Sequence, residues 1–360
     1  MADIEIVNPA TGETVGTAPN HSTAECLEAV DAVAAAFPSW RATAPRARGE
    51  VLRRAFELMI AEQEDLARLI VRENGKVLAD ARAEVAYAAE FFRWFSEEAV
   101  RIDGDLRRAP NGTNWLAVTR EPVGPALCIT PWNFPAAMAT RKIGPALAAG
   151  CTVVLKAAGE TPLTAYAVAD VLRRAGLPEN VVRVVTPVPP GEAVEAMLAS
   201  GRIRKLSFTG STRVGSLLLG QAAARVINCS MELGGNAPFI VCDDADVDAA
   251  VDGAMVAKMR NGGAACTAAN RFFVHRAVAD EFTHKFTARM SALILGDGLA
   301  DGTTLGPLVS AAQQARVAGL VELAVASGAE VLCGVTVDDI ESSVPLFNGV
   351  DHGLVSYVYT

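Results

Sequence analysis

Apolar side chains recur at helical spacing through the first hundred residues. The pattern Ser22-x-x-Glu25 is typical of a helix start, because each side chain accepts a hydrogen bond from the other residue's backbone N–H. The apolar positions that follow are Leu27, Val30, Val33 and Phe37. The same spacing predicts helices over residues 46–72 and 78–100, whereas the polar residues 103–121 predict a hairpin arm.

Strand-like and helix-like segments alternate from residue 126 onwards. Short apolar runs predict strands at residues 126–130, 152–155, 181–185, 204–208 and 226–230. The helix-like segments between them cover residues 138–148, 162–175, 191–199 and 211–224. This alternation predicts an α/β fold with a doubly wound parallel sheet. Such sheets bind ligands beyond the carboxyl ends of their strands, so the residues after each strand are candidates for function.

A second α/β segment begins near Gly234. Its predicted strands cover residues 238–242 and 271–275, and its predicted helices cover residues 245–259, 278–293 and 310–326. The length of 360 residues suits two domains with a large core. We therefore expect a second α/β domain to follow the doubly wound one.

Composition and charge narrow the class of protein. The chain is 51% hydrophobic and 20% charged, which is typical of a soluble globular protein. A net charge of −9 without a basic run argues against nucleic acid or an anionic membrane as a partner. The seven scattered cysteines and four histidines show neither disulfide nor metal-ligand spacing. With no signal peptide or membrane span in the pattern, we expect a protein of the reducing cytoplasm without a bound metal.

Four predicted strands are followed by residues that could take part in catalysis or ligand binding. Their loops contain Pro131-Trp-Asn133-Phe-Pro135, Lys156, Thr209-Gly210-Ser211 and Glu232-Leu-Gly-Gly. A glycine turn that opens a helix suits a phosphate group, although this one is neither a dinucleotide fingerprint nor a P-loop. Each feature also has an ordinary structural explanation as a turn, a helix cap or a surface lysine. Their shared position at strand ends favours a ligand site.

Cys266 follows Asn261-Gly-Gly-Ala-Ala, and the small residues around it leave space for an electrophile at the sulfur. A thiol attacks as the thiolate, so a reactive cysteine needs a lowered pKa or a nearby base. The alternative is that Cys266 is a small buried hydrophobic residue, as most free cysteines are.

The order of these motifs resembles the aldehyde dehydrogenase superfamily. The resemblance runs from Asn8-Pro9-Ala-Thr-Gly-Glu13 to about residue 333, and it includes Asn261-x-Gly-x-x-Cys266. Two further motifs, Met138-Ala-Thr-Arg141-Lys142-Ile-Gly-Pro-Ala-Leu and Met259-Arg260-Asn261, are similar to the succinate-semialdehyde dehydrogenase branch. The resemblance implies a dinucleotide-binding domain over residues 1–232, with the hairpin arm at 103–121. It further implies an incomplete catalytic α/β domain over 233–345 and a truncated terminal strand over 346–360.

The resemblance implies a role for each site residue. Cys266 would attack the aldehyde carbon, and the Asn133 amide with the Cys266 backbone N–H would hold the oxyanion. Glu232 would activate water to hydrolyse the thioester, or deprotonate the thiol. Arg141 and Arg260 match arginines that hold the distal carboxylate of succinate semialdehyde, although each is otherwise an ordinary surface arginine. The residues implied to line the cofactor are Trp132, Lys156, Ala157, Ala158, Gly159, Gly210, Ser211 and Leu233.

The implied cofactor is NADP or NAD. NAD-preferring relatives often carry a glutamate three residues after this lysine, and here the position is Gly159. Losing that carboxylate removes repulsion toward a 2′-phosphate, so we expect NADP to be slightly favoured. Glu160, one position later, partly restores the negative charge and leaves the choice open. Family members form homo-oligomers, and the sequence does not determine whether this chain does.

The chain departs from the family pattern in several places. Ala264 stands where glutamine or glutamate is usual, and Ala157 where proline is usual. No Glu-x-Phe-Gly-Pro motif follows Cys333-Gly334, so we expect the nicotinamide ribose to be held less firmly and turnover to suffer. Two alternatives to a dehydrogenase therefore stay open: a cofactor-independent thiol esterase that uses Cys266 and Glu232, and a non-catalytic nucleotide-binding protein.

Overall fold

The computed structural model describes residues 2–333 and the backbone of residues 357–359. Its contacts divide the chain into two compact units, which we describe separately. Unit 1 comprises Met1–Ile6, Gly16–Leu69 and Arg82–Glu232, and unit 2 comprises Val7–Val15, Ile70–Ala81 and the residues from Leu233 onwards. The short segments 7–15 and 70–81 thus group with unit 2, although the sequence places them in the first domain.

The first hundred residues form a small sheet and four helices. The elements are β1 (Ile4–Val7), β2 (Thr14–Ala18), α1 (Thr23–Ala42), α2 (Pro45–Ala61), α3 (Gln63–Asn74) and α4 (Leu78–Glu98). The predicted capping box is confirmed, since the Ser22 N–H donates to the Glu25 carboxylate at 2.7 Å and the Glu25 N–H donates to the Ser22 hydroxyl. The single helix predicted over residues 46–72 is wrong, because Glu62 ends α2 and separates it from α3. Apolar spacing continues across this break, so the pattern gave no sign of it.

A hairpin arm follows α4. Its strands are β3 (Asp105–Arg108) and β4 (Trp115–Val118), which pair antiparallel. The turn between them closes with a hydrogen bond from the Gly112 N–H to the Ala109 carbonyl, and Gly112 has a φ of 75°, which glycine adopts without strain. All residues of both strands are exposed, including the apolar β4, so the polar character predicted for the arm fits β3 only.

The core of unit 1 is a five-stranded sheet with helices in the connections between its strands. The elements are β5 (Ala126–Ile129), α5 (Pro135–Ala149), β6 (Val153–Lys156), α6 (Pro162–Arg174), β7 (Val182–Val185), α7 (Gly191–Ala199), β8 (Lys205–Gly210), α8 (Thr212–Ala223) and β9 (Asn228–Leu233). The strand order is β7-β6-β5-β8-β9, and β5 pairs in parallel with both β6 and β8. The predicted doubly wound α/β fold is confirmed, and its strand order reverses between β5 and β8.

Unit 2 is built on a smaller parallel sheet. Its elements are β10 (Pro238–Val241), α9 (Val247–Met259), β11 (Arg271–Val274), α10 (Ala279–Ser291), α11 (Ala311–Ala326) and β12 (Tyr357–Tyr359). β10 lies between β11 and β12 and pairs in parallel with both. Four aromatic rings pack together beside this sheet, from Phe239, Phe272, Phe282 and Phe286. Apart from 357–359, the predicted terminal strand at 346–360 lies outside the described residues.

Arg48 connects two helix ends inside unit 1. Its side chain is buried, and its Nε donates to the Ala148 carbonyl in the last turn of α5 at 3.1 Å. Its Nη1 donates to the Thr43 carbonyl just beyond the end of α1. The last carbonyls of a helix lack partners within the helix, so Arg48 satisfies groups that would otherwise be buried without a hydrogen bond.

Replacing Arg48 by methionine is expected to lower the free energy of unfolding by about 2–4 kcal/mol, because the variant leaves buried carbonyl oxygens without donors. Urea unfolding of the wild type and the variant measures this difference. Arg46 on the same helix is exposed, and Arg46→Met serves as the matched control. Equal stability of the two variants would contradict the capping role.

Within the described residues, no helix combines the length and apolar character that a membrane crossing requires. The same part of the chain contains no group of three or more histidine, cysteine or acidic side chains placed to hold a metal ion.

Candidate active site

The sequence-predicted site residues fall into two sets, one in each unit. Unit 1 holds Trp132, Asn133, Arg141, Lys156, Ala157, Ala158, Gly159, Gly210, Ser211 and Glu232. Unit 2 holds Leu233, Arg260 and Cys266. The predicted cofactor residues therefore lie on the strands of the doubly wound sheet or just beyond their ends, with Leu233 as the last residue of β9. The predicted nucleophile lies in the other α/β unit.

The Asn133 loop lies at the point where the strand order of unit 1 reverses. β5 ends at Ile129, and α5 begins at Pro135. The intervening residues Thr130–Phe134 therefore lie at the carboxyl edge of the sheet, beside the end of β8. In open α/β sheets this crevice is the usual ligand site. The fold thus places the Asn133 amide where a bound ligand is expected.

Lys156 ends β6, as the sequence predicts, and its side chain is half-buried. Burial lowers the pKa of Lys156, while the Glu160 carboxylate acts on it in the opposite direction. The next residues, Ala157 and Ala158, are buried against the sheet. An amine at a strand end, with a carboxylate in its field, suits the hydroxyl groups of a sugar.

Gly159 is closed in by the loop that follows β7. A Cβ atom at Gly159 would lie 3.2 Å from the Val188 Cγ2 atom. Val188 is itself fixed, because its N–H donates to the Asn20 side chain at 2.9 Å and its carbonyl accepts from the Asn20 amide at 3.2 Å. A side chain at position 159 would therefore require Val188 to move.

Gly210 and Ser211 connect β8 directly to α8. A Cβ atom at Gly210 would lie 2.5 Å from the Phe208 ring, so any larger residue there would require that ring to move. Ser211 is the N-cap of α8, and its hydroxyl accepts a hydrogen bond from the Val214 N–H. The positive end of a twelve-residue helix therefore lies at the carboxyl edge of the sheet, which suits a phosphate group.

Glu232 lies within β9, one residue before its end, and its side chain is exposed. The prediction that β9 ends before Glu232 is wrong, because the strand continues to Leu233. An exposed carboxylate retains access to water, which a general base for hydrolysis requires.

Arg141 and Lys142 lie side by side on α5 but face different surroundings. The Arg141 guanidinium lies over the Phe91 ring, with Cζ 5.7 Å from the ring centre, and is half-buried. The Lys142 side chain is buried, and its Nζ donates to the Ser207 hydroxyl at 3.0 Å. Burial lowers the pKa of Lys142 to about 8, while Glu232 acts in the opposite direction.

The buried Lys142 predicts a pH dependence of stability. Its pKa is lower in the folded than in the unfolded chain, so the unfolded chain binds more protons between about pH 8 and pH 10.5. The contribution of Lys142 to the free energy of unfolding therefore rises with pH across that window, by about 3 kcal/mol. The measurement is the unfolding free energy of the wild type minus that of Lys142→Met at each pH. Titration of other groups is common to both proteins and cancels. A pH-independent difference would contradict the shift.

The Cys266 loop in unit 2 is anchored on both sides. Before the thiol, residues Arg260–Gly263 form a short 3₁₀ turn in which Asn261, Gly262 and Gly263 all have positive φ. After it, the Ala269 N–H donates to the Ala257 carbonyl at 3.0 Å. Asparagine and glycine adopt positive φ at low cost, which explains this unusual run. The loop thus turns sharply, and the residues on either side of Cys266 in sequence are small.

Two groups hold Asn261, which is itself buried. Its side-chain amide donates to the Ala264 carbonyl at 3.2 Å, and its backbone N–H donates to the Asp80 carboxylate. Burial raises the pKa of Asp80, and Lys76, the Asn261 hydrogen bond and Arg260 act against that rise. Asp80 therefore ties the first turn of α4 to the turn that precedes Cys266.

The Cys266 thiol is exposed, whereas Cys26 and Cys128 are buried. Burial raises the pKa of Cys26 to about 11 and that of Cys128 to about 12. The alternative that Cys266 is a buried hydrophobic residue is therefore wrong. Accessibility is the first requirement for a nucleophilic thiol.

Sequence reasoning gave no role to Asp80, Glu84 or Lys142, whose side chains contact elements that carry the candidate site residues. For Glu84 a signal was present, since this acid interrupts the apolar positions Ala81, Val85, Ala88 and Phe92 of α4. Lys142 stands similarly before the buried Ile143. A charged residue on the apolar face of a predicted helix indicates a buried partner, although the pattern does not name it.

Comparisons with known proteins show the family of this chain. Residues 1–344 match the model of the Aldehyde dehydrogenase family. Glutarate-semialdehyde dehydrogenase of Pseudomonas putida is 50% identical over 331 residues, covering 92% of this chain and 69% of that protein. Succinate-semialdehyde dehydrogenase of Paenarthrobacter nicotinovorans is 52% identical over 320 residues, covering 89% and 71%. Among solved structures, an NADP-dependent enzyme from E. coli superimposes with a TM-score of 0.92 at 42% identity, covering 99% of this chain and 77% of that one.

Proposed function

The chain belongs to the aldehyde dehydrogenase family, an NAD(P)-linked family of oxidoreductases, and we propose from this premise that it oxidises succinate semialdehyde, or a similar short aldehyde with a distal carboxylate, to the acid. The observation that carries the proposal is the exposed Cys266 thiol on a loop of small residues that backbone hydrogen bonds anchor. The names of the two relatives, both semialdehyde dehydrogenases, support the substrate class.

The residues at the carboxyl edge of unit 1 fit a nicotinamide dinucleotide. Lys156 offers an amine for the hydroxyls of the adenosine ribose, and the start of α8 at Ser211 offers N–H groups for the diphosphate. Gly159 and Gly210 have no side chains that would occupy space at this carboxyl edge of the sheet. A nicotinamide dinucleotide held by these residues would supply the hydride acceptor for oxidation of the aldehyde carbon.

The remaining chemistry belongs to three side chains. The Cys266 thiolate forms a bond to the aldehyde carbon, and the Asn133 amide donates a hydrogen bond to the oxygen that becomes negative. Loss of hydride leaves a thioester on Cys266. Glu232 takes a proton from water, the resulting hydroxide adds to the thioester carbonyl, and the Cys266 thiolate leaves with the acid as product.

The distal carboxylate of the substrate is assigned to Arg141 and Arg260. A guanidinium donates two parallel hydrogen bonds to a carboxylate. The Arg141 guanidinium packs against the face of the Phe91 ring. Losing one such charge-assisted contact costs about 1.5–3 kcal/mol, or about 10–100-fold in kcat/KM. The same loss does not apply to an aldehyde without a carboxylate.

The proposal is tested by following cofactor reduction with succinate semialdehyde, glutarate semialdehyde and butanal. The carboxylated aldehydes are expected to react faster than butanal, and Arg141→Met and Arg260→Met are expected to remove most of that preference while butanal turnover stays. Absence of cofactor reduction with every aldehyde would exclude the oxidation. Ester hydrolysis unaffected by the dinucleotide would then favour a thiol esterase, and binding of NADP without turnover would favour a nucleotide-binding protein.

For the cofactor, we propose that NADP is accepted at least as well as NAD. Position 159 carries no carboxylate to repel a 2′-phosphate, and the E. coli structure described above is named as NADP-dependent. Glu160 interacts with Lys156 and opposes this preference. Calorimetric Kd values for the two dinucleotides, in the wild type and in Glu160→Gln, separate these effects. Removing Glu160 is expected to favour NADP further.

A further inference from the structure

Glu84 is a carboxylate on the buried side of α4, with 2% of its surface exposed. On that side of the helix its neighbours are the fully buried Ala81, Val85, Ala88 and Phe92. Burying a charged side chain among apolar groups is costly unless hydrogen bonds compensate for the water that is lost. The position of Glu84 therefore points to a specific partner.

The partner is the first turn of α5. The Glu84 Oε1 atom accepts hydrogen bonds from the Ala136 N–H at 2.9 Å and from the Ala137 N–H at 3.3 Å. The N-terminus of α5 receives no hydrogen bond from its own N-cap residue, because the Phe134 side chain has no acceptor atom. Pro135 at the next position has no N–H to satisfy. A side chain from another helix thus performs the capping, and its negative charge lies at the positive end of α5.

The start of α5 determines where Asn133 lies. Only Phe134 separates Asn133 from the first residue of the helix, and prolines at 131 and 135 restrict the backbone on both sides. We propose that Glu84 is a positioning residue for the Asn133 amide: by holding the N-terminus of α5, it fixes the donor that stabilises the oxyanion. This inference rests on the proposed function, because it gives Asn133 the role assigned above.

Glu84→Met is expected to lower kcat/KM by about 10–100-fold, because misplacing a catalytic donor by about 1 Å has an effect of this size. Glu84→Gln keeps an oxygen acceptor and is expected to restore turnover to within about five-fold of the wild type. Glu90→Met is the matched control, since Glu90 lies on the same helix with an exposed side chain. The control is expected to leave turnover unchanged.

A double-mutant cycle distinguishes positioning from a general loss of stability. In an Asn133→Ala background the Asn133 amide is already gone, so Glu84→Met is expected to cost less than about three-fold more. A full additional loss in that background would overturn the proposal, because Glu84 would then act by another route.

Hydrogen exchange provides a second readout that does not depend on catalysis. Exchange of the amides in residues 131–137 is expected to accelerate in Glu84→Met, while exchange in the rest of unit 1 stays as in the wild type. If Glu84→Met fails to fold, Glu84→Asp, which withdraws the acceptor by one methylene group, takes its place. Unchanged exchange in residues 131–137 would overturn the inference. A wild type without turnover would instead exclude the proposed function, and the exchange measurement would still decide the role of Glu84.

Discussion

Cys266→Ser is expected to lower aldehyde-dependent cofactor reduction by at least about 10⁴-fold, since a serine hydroxyl without a strong base is a far weaker nucleophile than a thiolate. The substitution changes one atom in a loop whose shape is held by Asp80, Asn261 and Ala257. We therefore expect the fold and the dinucleotide Kd to stay unchanged. Steady-state kinetics, with calorimetry for the cofactor, measure both quantities.

Cys242→Ser is the matched control, because Cys242 is a free, partly accessible cysteine in the same unit. It is expected to retain wild-type turnover. Substantial oxidation by Cys266→Ser, or equal losses in the two variants, would contradict the assignment of the nucleophile.

Labelling with iodoacetamide gives an independent measure of the thiol. At pH 7–8 Cys266 is expected to react well before Cys26 and Cys128, since those two are buried and their pKa values are raised to about 11 and about 12. Mass spectrometry of the peptides measures each rate. Loss of cofactor reduction in parallel with labelling of Cys266 would connect accessibility to catalysis.

Glu232→Gln is expected to slow steady-state turnover by about 10²–10⁴-fold, because an amide does not take a proton from water. Thiol attack and hydride loss precede this step, so one equivalent of reduced cofactor is expected to form rapidly in each active site. The thioester should then accumulate on Cys266, where intact-protein mass spectrometry detects the added acyl group. Glu195→Gln, an exposed glutamate of unit 1, serves as the control.

The first turnover distinguishes the two roles open to Glu232. A rapid burst followed by slow release assigns it to hydrolysis of the thioester. A burst slowed as much as the steady state would assign it to deprotonation of Cys266 instead. Wild-type kinetics in Glu232→Gln would contradict both roles.

The elements of both sheets could be predicted from the sequence because their apolar residues are local and periodic. Lys156 at the end of β6 was placed correctly, since a strand of buried residues ends where polar residues begin. The end predicted for β8 at residue 208 was two residues early, because the strand continues to Gly210. The break at Glu62 was missed because apolar spacing continues across it, with Met59 and Leu66 both buried. The end of β9 was missed by a few residues because the strand contains the polar Glu232.

The sequence by itself determined the fold class, the strand-end positions of the candidate site residues and the family resemblance, because these depend on the order and spacing of residues along the chain. Only the tertiary structure decided which groups support them. The cap that Glu84 provides for α5, the Asp80 contact with Asn261, and the hydrogen bond from Lys142 to Ser207 each join segments far apart in sequence. A buried charge signals that a partner exists, but packing in three dimensions determines which backbone group provides it.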